Sequence, residues 1–308
     1  CNLYAFPPLK TLLVILGPTG VGKTDWSVGV ARRYGTAVVS CDSRQIYREM
    51  RIGTAVPSEE QLAAVPHYFV RTRSVREYYN SWQYETEALA CIRRLFAERD
   101  VVVMTGGSML YIDAVCKGID DIPTIAPELR RELTEVYERE GLERIRGMLR
   151  ELDPVFYGEV DLNNAKRVLH AGEVCRMAGV PYSSLRTHRR KEREFRIVRV
   201  GLERDREELY GRIDRRVEAM LEEGLEEEAR GLFPLRGLNA LNTVGYKELF
   251  AYFEGRTDYA EAVRLIKRNT RRYARKQLSW FRRDDDIRWF HPDDTVGLER
   301  FLEEQLPG

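Results

Sequence analysis

An eight-residue, glycine-rich segment has the composition and spacing of a phosphate-binding loop. It follows an aliphatic run, precedes a helical pattern, fits G-x-x-x-x-G-K-[ST], and reads Gly17-Pro18-Thr19-Gly20-Val21-Gly22-Lys23-Thr24. Glycines let backbone N–H groups turn towards phosphate oxygens, and the N-terminus of the following helix favours negative charge. Lys23 would add a positive charge, and the Thr24 hydroxyl could bind Mg²⁺. The segment predicts a bound polyphosphate but leaves open which one and which reaction, since many ATP-binding kinases share it.

Two further polar segments follow short aliphatic runs. They are Asp42-Ser43-Arg44-Gln45, after residues 37–41, and Thr105-Gly106-Gly107-Ser108, after residues 101–104. Ligands of parallel sheets collect at the carboxyl ends of the strands, so both segments should lie beside the phosphate loop. Asp42 would then act on whatever lies next to the phosphates. The alternative is that Asp42 or Ser43 caps the next helix, and position alone does not decide between the two.

The order of these segments predicts an α/β fold with a parallel sheet flanked by helices. Residues 12–16, 37–41 and 101–104 have the pattern of buried strands, and helical patterns alternate with them. Further helical patterns cover residues 206–232, 244–253 and 259–281, and a last strand is predicted at 287–290.

The pattern changes after Gly118. Residues 120–123 resemble a linker, residues 127–179 are helical in pattern, and a strand pattern returns at 195–202. We therefore predict a core formed by residues 1–118 and 197–308. The segment between them, residues 119–196, is predicted to be an inserted all-helical domain.

Composition excludes several classes of protein. The 308 residues are 43% hydrophobic and contain no apolar run near the roughly 20 residues of a membrane span, and no signal-peptide pattern opens the chain. The five cysteines form no CxxC pair, which argues against a disulfide scaffold or a zinc site. We expect a cytoplasmic protein with reduced thiols and no membrane partner.

Basic residues are concentrated in two segments although the net charge is only +1. The first has seven basic residues and no acidic one: Arg264, Lys267, Arg268, Arg271, Arg272, Arg275 and Lys276. Helical spacing puts most of them along one broad face. The absence of acidic residues from the run, with Ser279-Trp280 after it, favours contact with RNA over a merely solvated face. The second comprises Arg186, His188, Arg189, Arg190, Lys191 and Arg193. It could contact an RNA stem or form a solvated loop, and both interpretations stay open.

Several more motifs occur in a fixed order with the phosphate loop. They are Asp42-Ser43-Arg44-Gln45-Ile46-Tyr47, Ile52-Gly53-Thr54-Ala55, Pro66-His67, Gly106-Gly107-Ser108-Met109-Leu110-Tyr111, Arg212-Ile213-Asp214-Arg215-Arg216, Val244-Gly245-Tyr246 and Thr270-Arg271-Arg272-Tyr273-Ala274-Arg275-Lys276-Gln277-Leu278-Ser279-Trp280. This ordered set, over residues 12–290, resembles the bacterial tRNA dimethylallyltransferase (tRNA isopentenyltransferase) family. The chain departs from the family at Val56, where lysine is common, and at His170 and Gly172.

The resemblance implies a P-loop NTPase-like core with an inserted helical domain that grips the anticodon stem-loop of tRNA. It implies transfer of a dimethylallyl group from dimethylallyl diphosphate to N6 of the adenosine on the 3′ side of the anticodon, with Mg²⁺ as cofactor. The product would be N6-isopentenyladenosine. We expect the protein to act as a monomer.

The chemistry of this reaction suggests roles for particular residues. Asp42 is the candidate base for the weakly nucleophilic adenine amino group, and Lys23, Thr19, Arg216 and the loop amides would stabilise the leaving diphosphate. The loop Gly17–Thr24 would bind the diphosphate, with Thr24 on Mg²⁺. Arg216 enters through the resemblance alone, and His67 is expected to be structural. The tRNA-binding residues implied are Asp42, Ser43, Arg44, Gln45, Ser108, Arg130, Lys166, Arg167, His170, Lys247, Arg268, Arg271 and Arg275.

Three other functions share some of these features. A small-molecule P-loop kinase has the same loop, and an isopentenyltransferase acting on free adenine nucleotides has the same chemistry. Neither needs a helical insertion or a basic helix near the C-terminus. A nonenzymatic RNA-binding switch would need no base at Asp42. The sequence does not indicate which tRNAs would be modified.

Overall fold

Six parallel strands form the centre of the computed structural model, which describes residues 10–187 and 189–306. They are β1 (Thr11–Leu16), β2 (Val38–Ser40), β3 (His67–Tyr68), β4 (Val101–Gly106), β5 (Arg196–Leu202) and β6 (Ile287–Phe290). Their spatial order is β3-β2-β4-β1-β5-β6, and each neighbouring pair is parallel. The predicted parallel α/β sheet is confirmed. The two-residue strand β3 was not predicted, because so short a segment has no recognisable period.

Helices make up most of the remaining secondary structure. They are α1 (Lys23–Arg33), α2 (Glu59–Ala64), α3 (Ser81–Phe96), α4 (Met109–Lys117), α5 (Pro127–Leu152), α6 (Pro154–Glu159), α7 (Ala165–Ala178), α8 (Tyr182–Leu185), α9 (Arg206–Glu223), α10 (Leu225–Leu232), α11 (Tyr246–Phe253), α12 (Tyr259–Phe281) and α13 (Thr295–Gln305). The prediction of one amphipathic segment over residues 206–232 is wrong. Gly224, with φ 109°, ends α9 and begins α10, because that left-handed conformation suits glycine and breaks the helix.

The sheet is buried on both faces, which is why its strands read as continuous aliphatic runs. Successive side chains of β1 point to opposite faces: Leu12, Val14 and Leu16 belong to one core cluster, whereas Leu13 and Ile15 belong to the other. Every residue of β1 is buried. The segment that follows β1 therefore begins at the carboxyl end of a buried, central strand.

The chain divides into two compact units. The first contains the sheet and comprises the residues up to Cys116 and from Glu192 onwards, and the second is Lys117–Lys191. The predicted insertion, 119–196, extends too far at its C-terminal end, because residues 192–195 lead into β5 and belong to the first unit. The predicted core ranges also include residues 1–9 and 307–308, which lie outside the described residues.

The second unit, as far as it is described, contains the four helices α5–α8 and no strand. Its own core includes Ile145, Leu149, Phe156 and Val168. Gly172 lies on α7 where a Cβ atom would come within 2.5 Å of Met148 Cε on α5. The departure from the family at this position therefore gives Met148 room in the core.

Arg193 corrects the interpretation of the second basic segment. Its guanidinium donates to Glu85 Oε1, Val115 O and Ala114 O, each at 2.8 Å. The Arg193 and Glu85 side chains are only 10% and 7% exposed. Arg193 therefore belongs to the core and neither contacts a stem nor forms a solvated loop. His188, in the same basic segment, lies outside the described residues.

We expect Arg193→Met to lower the free energy of unfolding by about 3 kcal/mol, because it removes a buried cation that pairs with the buried Glu85 carboxylate. Urea denaturation of the whole chain measures this. The control is Arg288→Met, which replaces an exposed arginine of the same unit and should change the value by less than about 0.5 kcal/mol. Equal destabilisation by the two substitutions would contradict the assigned role of Arg193.

Candidate active site

The glycine-rich loop joins β1 to α1 at the middle of the sheet edge. Gly17 has φ 149°, and a Cβ atom there would lie 2.5 Å from Leu202 O at the end of β5. Only glycine fits so close to that backbone oxygen, so the loop packs directly on the neighbouring strand. The predicted strand–loop–helix arrangement is present, with α1 beginning at Lys23.

Two arginines hold the loop from outside. Arg212 Nε donates to Gly20 O at 2.9 Å, and Arg204 Nε donates to Val21 O at the same distance. Arg204 is itself held by Glu208 and by Asp293, the latter at 3.0 Å. These two hydrogen bonds fix the directions of the Gly20 and Val21 carbonyl groups without any bound ligand.

Lys23, Arg216 and Asp42 interact within one cavity. Burial, together with the charge of Arg216, lowers the pKa of Lys23 to about 8, whereas Asp42 opposes that shift. Burial also lowers the pKa of Arg216, and Asp42 again opposes the shift. Lys23 Nζ donates to Pro18 O at 2.7 Å. The structure thus brings together three of the predicted catalytic residues. An anion bound here would stabilise the charged forms of Lys23 and Arg216.

The cavity at the loop measures about 590 Å³. It is lined by the loop, the ends of β2 and β4, and residues of α9 and α12, among them Thr19, Lys23, Thr24, Asp42, Arg212, Arg215, Arg216 and Tyr273. The lining also offers the oxygen atoms of Asp25, Ser40 and Thr105. Oxygen donors of this kind suit Mg²⁺, so the residues present fit the predicted metal.

Asp42 also shapes the chain that follows β2. Its Oδ1 accepts hydrogen bonds from Arg44 N at 2.8 Å and Gln45 N at 3.2 Å. The residues after it form a turn rather than an α-helix. The interpretation that Asp42 or Ser43 caps the next helix is therefore wrong: Asp42 caps a turn, and it also lines the cavity. Its action on a bound ligand stays a prediction.

A second cavity, of about 580 Å³, shares the walls Thr19, Asp42, Arg216 and Tyr273 with the first. Apolar and polar side chains line the rest of it: Leu110, Ile213, Val217, Met220, Leu225, Val244, Ile266, Asn242, Thr243, Lys247, Thr270 and Lys276. Asp42 and the half-buried Arg216 thus line both the cavity at the phosphate-type loop and one whose walls are partly apolar.

The residues next to Asp42 are mostly bound within the protein. Ser108 Oγ accepts from Ser43 N at 2.8 Å and donates to Ser43 Oγ at 3.0 Å. Gln45 Nε2 donates to Ala55 O at 2.8 Å and to Thr54 O at 3.2 Å, and Arg44 donates to Asn239 O at 3.3 Å. In this conformation Gln45 fastens the loop at residues 54–55. Base contact by these residues stays a prediction.

The predicted tRNA contacts in the first unit have different surroundings. Lys247 is exposed and lines the second cavity. Arg271 makes an ion pair with Asp214 at 2.6 Å, and Arg268 donates to a neighbouring asparagine. Arg275 lines a separate cavity between α9, α12 and β6. The basic run on α12 therefore does not form one uniform surface.

The predicted contacts in the second unit lie on α5 and α7. Lys166, Arg167 and His170 are exposed on α7. His170 lies 3.6 Å from Glu173, and Arg130 of α5 pairs with the same glutamate at 3.5 Å. Glu173 is buried, so Arg130 offsets its charge in addition to any contact with RNA.

Sequence reasoning did not assign Gln277 or Tyr273 to the site. Both line the first cavity from α12, and burial raises the pKa of Tyr273 to about 12. Their four-residue spacing puts them on one helix face, but the charges around them concealed that signal. His67, expected to be structural, also lines this cavity, and burial lowers its pKa.

A model of the family described as IPP transferase matches residues 45–284. This chain belongs to that family. The relatives include tRNA dimethylallyltransferase 2 of Porphyromonas gingivalis, 60% identical over 287 residues that cover 93% of this chain and 96% of that protein. Another is tRNA dimethylallyltransferase 2 of Parabacteroides distasonis, 55% identical over 97% of this chain and 100% of that protein. The family resemblance read from the motifs is confirmed.

Solved structures of the family agree with the fold. The tRNA isopentenylpyrophosphate transferase of Bacillus halodurans has a TM-score of 0.68 and 33% identity, with 96% of each chain covered. A eukaryotic dimethylallyltransferase acting on tRNA has a TM-score of 0.80 at 24% identity, over 95% of this chain and 78% of that one, and it supports the fold alone. In the described part of the chain, no helix has the length and apolarity to span a membrane.

The lowered pKa of Lys23 predicts how binding of inorganic diphosphate depends on pH. Below a pH of about 8 the free protein holds Lys23 charged, and above it the proton is lost, so affinity should decline as pH rises. Lys23→Arg keeps its charge and should show a weaker decline over the same range. Lys23→Met should bind weakly throughout.

Isothermal titration with diphosphate measures these affinities. The ionisation of the ligand itself is common to all three proteins, so the comparison isolates Lys23. The same pH slope in wild type and Lys23→Arg would show that Lys23 does not titrate at the site.

Proposed function

We propose that this protein transfers a dimethylallyl group from dimethylallyl diphosphate to N6 of the adenosine on the 3′ side of the tRNA anticodon. One observation carries the proposal: Asp42 and Arg216 form the wall between a cavity with a phosphate-binding loop and a second, partly apolar cavity. The family relationship and the names of the relatives support the same reaction.

On the donor side, the loop would hold the diphosphate. When the allylic C–O bond breaks, its electron pair moves to the diphosphate oxygen, where negative charge increases. Lys23, Arg216 and Thr19 would stabilise that charge more strongly in the transition state than in the bound substrate. Mg²⁺ held by Thr24 and phosphate oxygens would neutralise further charge.

On the acceptor side, the adenine would enter the second cavity after leaving the stacked anticodon loop. Its N6 forms the new bond to the allylic carbon and then carries a surplus proton. Asp42 would accept that proton, giving neutral N6-isopentenyladenosine and a protonated carboxyl. The turn bonds to Oδ1 would hold the carboxylate in place for this step.

The tRNA contacts would be largely to phosphates, through exposed cations of both units. We propose Lys247, Lys166 and Arg167 as the first of these, since all three are exposed. Ser43, Arg44, Gln45 and Ser108 would border the target base, and Arg130, His170, Arg268, Arg271 and Arg275 would add further contacts. A tRNA acceptor implies action in the cytoplasm, and we propose that the monomer is sufficient.

Asp42→Asn should lower kcat for transfer to tRNA by about a hundredfold or more, because the amide cannot accept the N6 proton. The assay incubates unmodified tRNA, dimethylallyl diphosphate and Mg²⁺ with the protein and detects isoprenylated nucleoside by mass spectrometry. Asp285→Asn replaces an exposed carboxylate and should leave the rate unchanged.

Parallel reactions with AMP and ATP as acceptors separate the alternatives. Transfer to free nucleotide alone would move the assignment to nucleotide isopentenyltransferases. An absence of transfer to every acceptor would return the small-molecule kinase to first place. Full activity of Asp42→Asn would remove the proposed base while leaving the reaction in place.

Exposed cations should govern how tRNA affinity depends on salt. Lys247→Ala and Arg167→Ala should each weaken tRNA binding and reduce the slope of log K against log salt concentration by about 1. Arg271→Ala should reduce it less, because Asp214 already neutralises that arginine at 2.6 Å. Filter binding at several salt concentrations measures the slopes. Unchanged slopes for Lys247→Ala and Arg167→Ala would exclude phosphate contacts there.

A further inference from the structure

A buried glutamine connects the two loops on which the reaction would depend. Gln277 of α12 is 2% exposed. Its Oε1 accepts a hydrogen bond from Thr19 N at 2.9 Å, and its Nε2 donates to Gly107 O at 2.8 Å. One amide group therefore ties the phosphate loop after β1 to the loop after β4, using both its acceptor and its donor.

Gly107 packs directly against this amide. A Cβ atom on Gly107 would come within 2.2 Å of Gln277 Nε2 and 3.2 Å of Gly17 O. Gly107 does not have the positive φ that favours glycine, so it is needed for space rather than for conformation. This close packing and the two hydrogen bonds together hold the amide between the two loops.

The connection continues to the candidate base. Ser108, next to Gly107, is hydrogen bonded to both the backbone and the side chain of Ser43. Ser43 directly follows Asp42. One helical turn before Gln277, Tyr273 interacts electrostatically with Ser108. A continuous path therefore runs from Thr19 through Gln277 and Ser108 to the turn that carries Asp42.

We propose that Gln277 is a positioning residue that fixes the diphosphate loop relative to Asp42, which rests on the proposed function. Transfer requires the reacting atoms to approach to about 3–3.5 Å in the right alignment, so small displacements of either loop reduce the rate strongly. Gln277 touches neither reacting group. Its loss should lower kcat while affecting KM for the diphosphate substrate much less, since Lys23 and the other loop amides remain.

Two substitutions of similar size separate the hydrogen bonds from the volume of the side chain. Gln277→Met removes both bonds and should lower kcat about tenfold or more at every pH, with KM changed less than about threefold. In Gln277→Glu, an ionised carboxylate accepts from Thr19 N but faces Gly107 O without a proton, so this variant too should be slow at about pH 8.5. Burial beside a carbonyl oxygen raises the pKa of such a carboxyl.

The pH profile of the rate then supplies the test. The ratio of the Gln277→Glu rate to the wild-type rate should rise about fivefold or more between pH 8.5 and pH 6, because protonation of the introduced carboxyl restores both bonds. The corresponding ratio for Gln277→Met should stay flat over the same range. At pH 6 the rate of Gln277→Glu should therefore exceed that of Gln277→Met. If protonation only removed a repelling charge, the two rates would be equal at that pH.

Hydrogen exchange provides a measurement that does not need catalysis. The Thr19 amide should exchange faster in Gln277→Met than in wild type, because it loses its acceptor, and Ser279→Ala on the exposed side of α12 should leave it unchanged. If Thr19 exchanges faster in Gln277→Met but the wild type transfers nothing, the connection between the two loops stands and the proposed reaction is overturned. Wild-type kcat in Gln277→Met, a flat ratio for Gln277→Glu, or unchanged Thr19 exchange would overturn the positioning role.

Discussion

The site depends on holding two half-buried cations, Lys23 and Arg216, in one cavity with the carboxylate of Asp42. Burial and mutual repulsion both act against the charged form of Lys23, and Asp42 offsets only part of that cost for either cation. An anionic ligand would relieve the remainder, which is why the proposed function places the diphosphate in this cavity. The same imbalance suits a leaving group whose negative charge increases during the reaction, because the stabilising charges are in place beforehand.

The parallel sheet makes this arrangement possible. β1 is central and buried on both faces, so the loop that follows it has a fixed origin. β4 lies beside β1 and β2 beside β4, which brings the segments at residues 17–24, 42–45 and 105–108 to one edge. Long-range side chains then hold what the sheet has assembled. Arg204 and Arg212 bind loop carbonyls from one side, and Gln277 binds a loop amide from the other.

Features that depend on residues close together in the sequence could be predicted, whereas contacts between distant residues could not. The phosphate loop and the strands 12–16 and 287–290 were predictable because each is encoded by neighbouring residues. β3, α13 and the break at Gly224 were missed, the last because a long amphipathic pattern hides a single glycine. Gln277 contacts Thr19 across 258 positions of sequence, and Arg193 contacts Glu85 across 108. No local pattern distinguishes such a buried glutamine or arginine from an exposed one.

Helix α12 shows why a count of basic residues is a poor guide to an RNA surface. Its Ile266 and Gln277 are buried and its Tyr273 lines the site, whereas Lys267 and Arg271 pair with acidic residues of α9. An arginine that already pairs with a carboxylate must break that ion pair to bind a phosphate. The net gain is only the difference between the two interaction energies, and the unpaired carboxylate would then repel the RNA. The basic run therefore first fastens α12 to α9 and so keeps Gln277 in register with the loop. Under the proposed function, RNA contact would fall to cations that are not already paired within the protein.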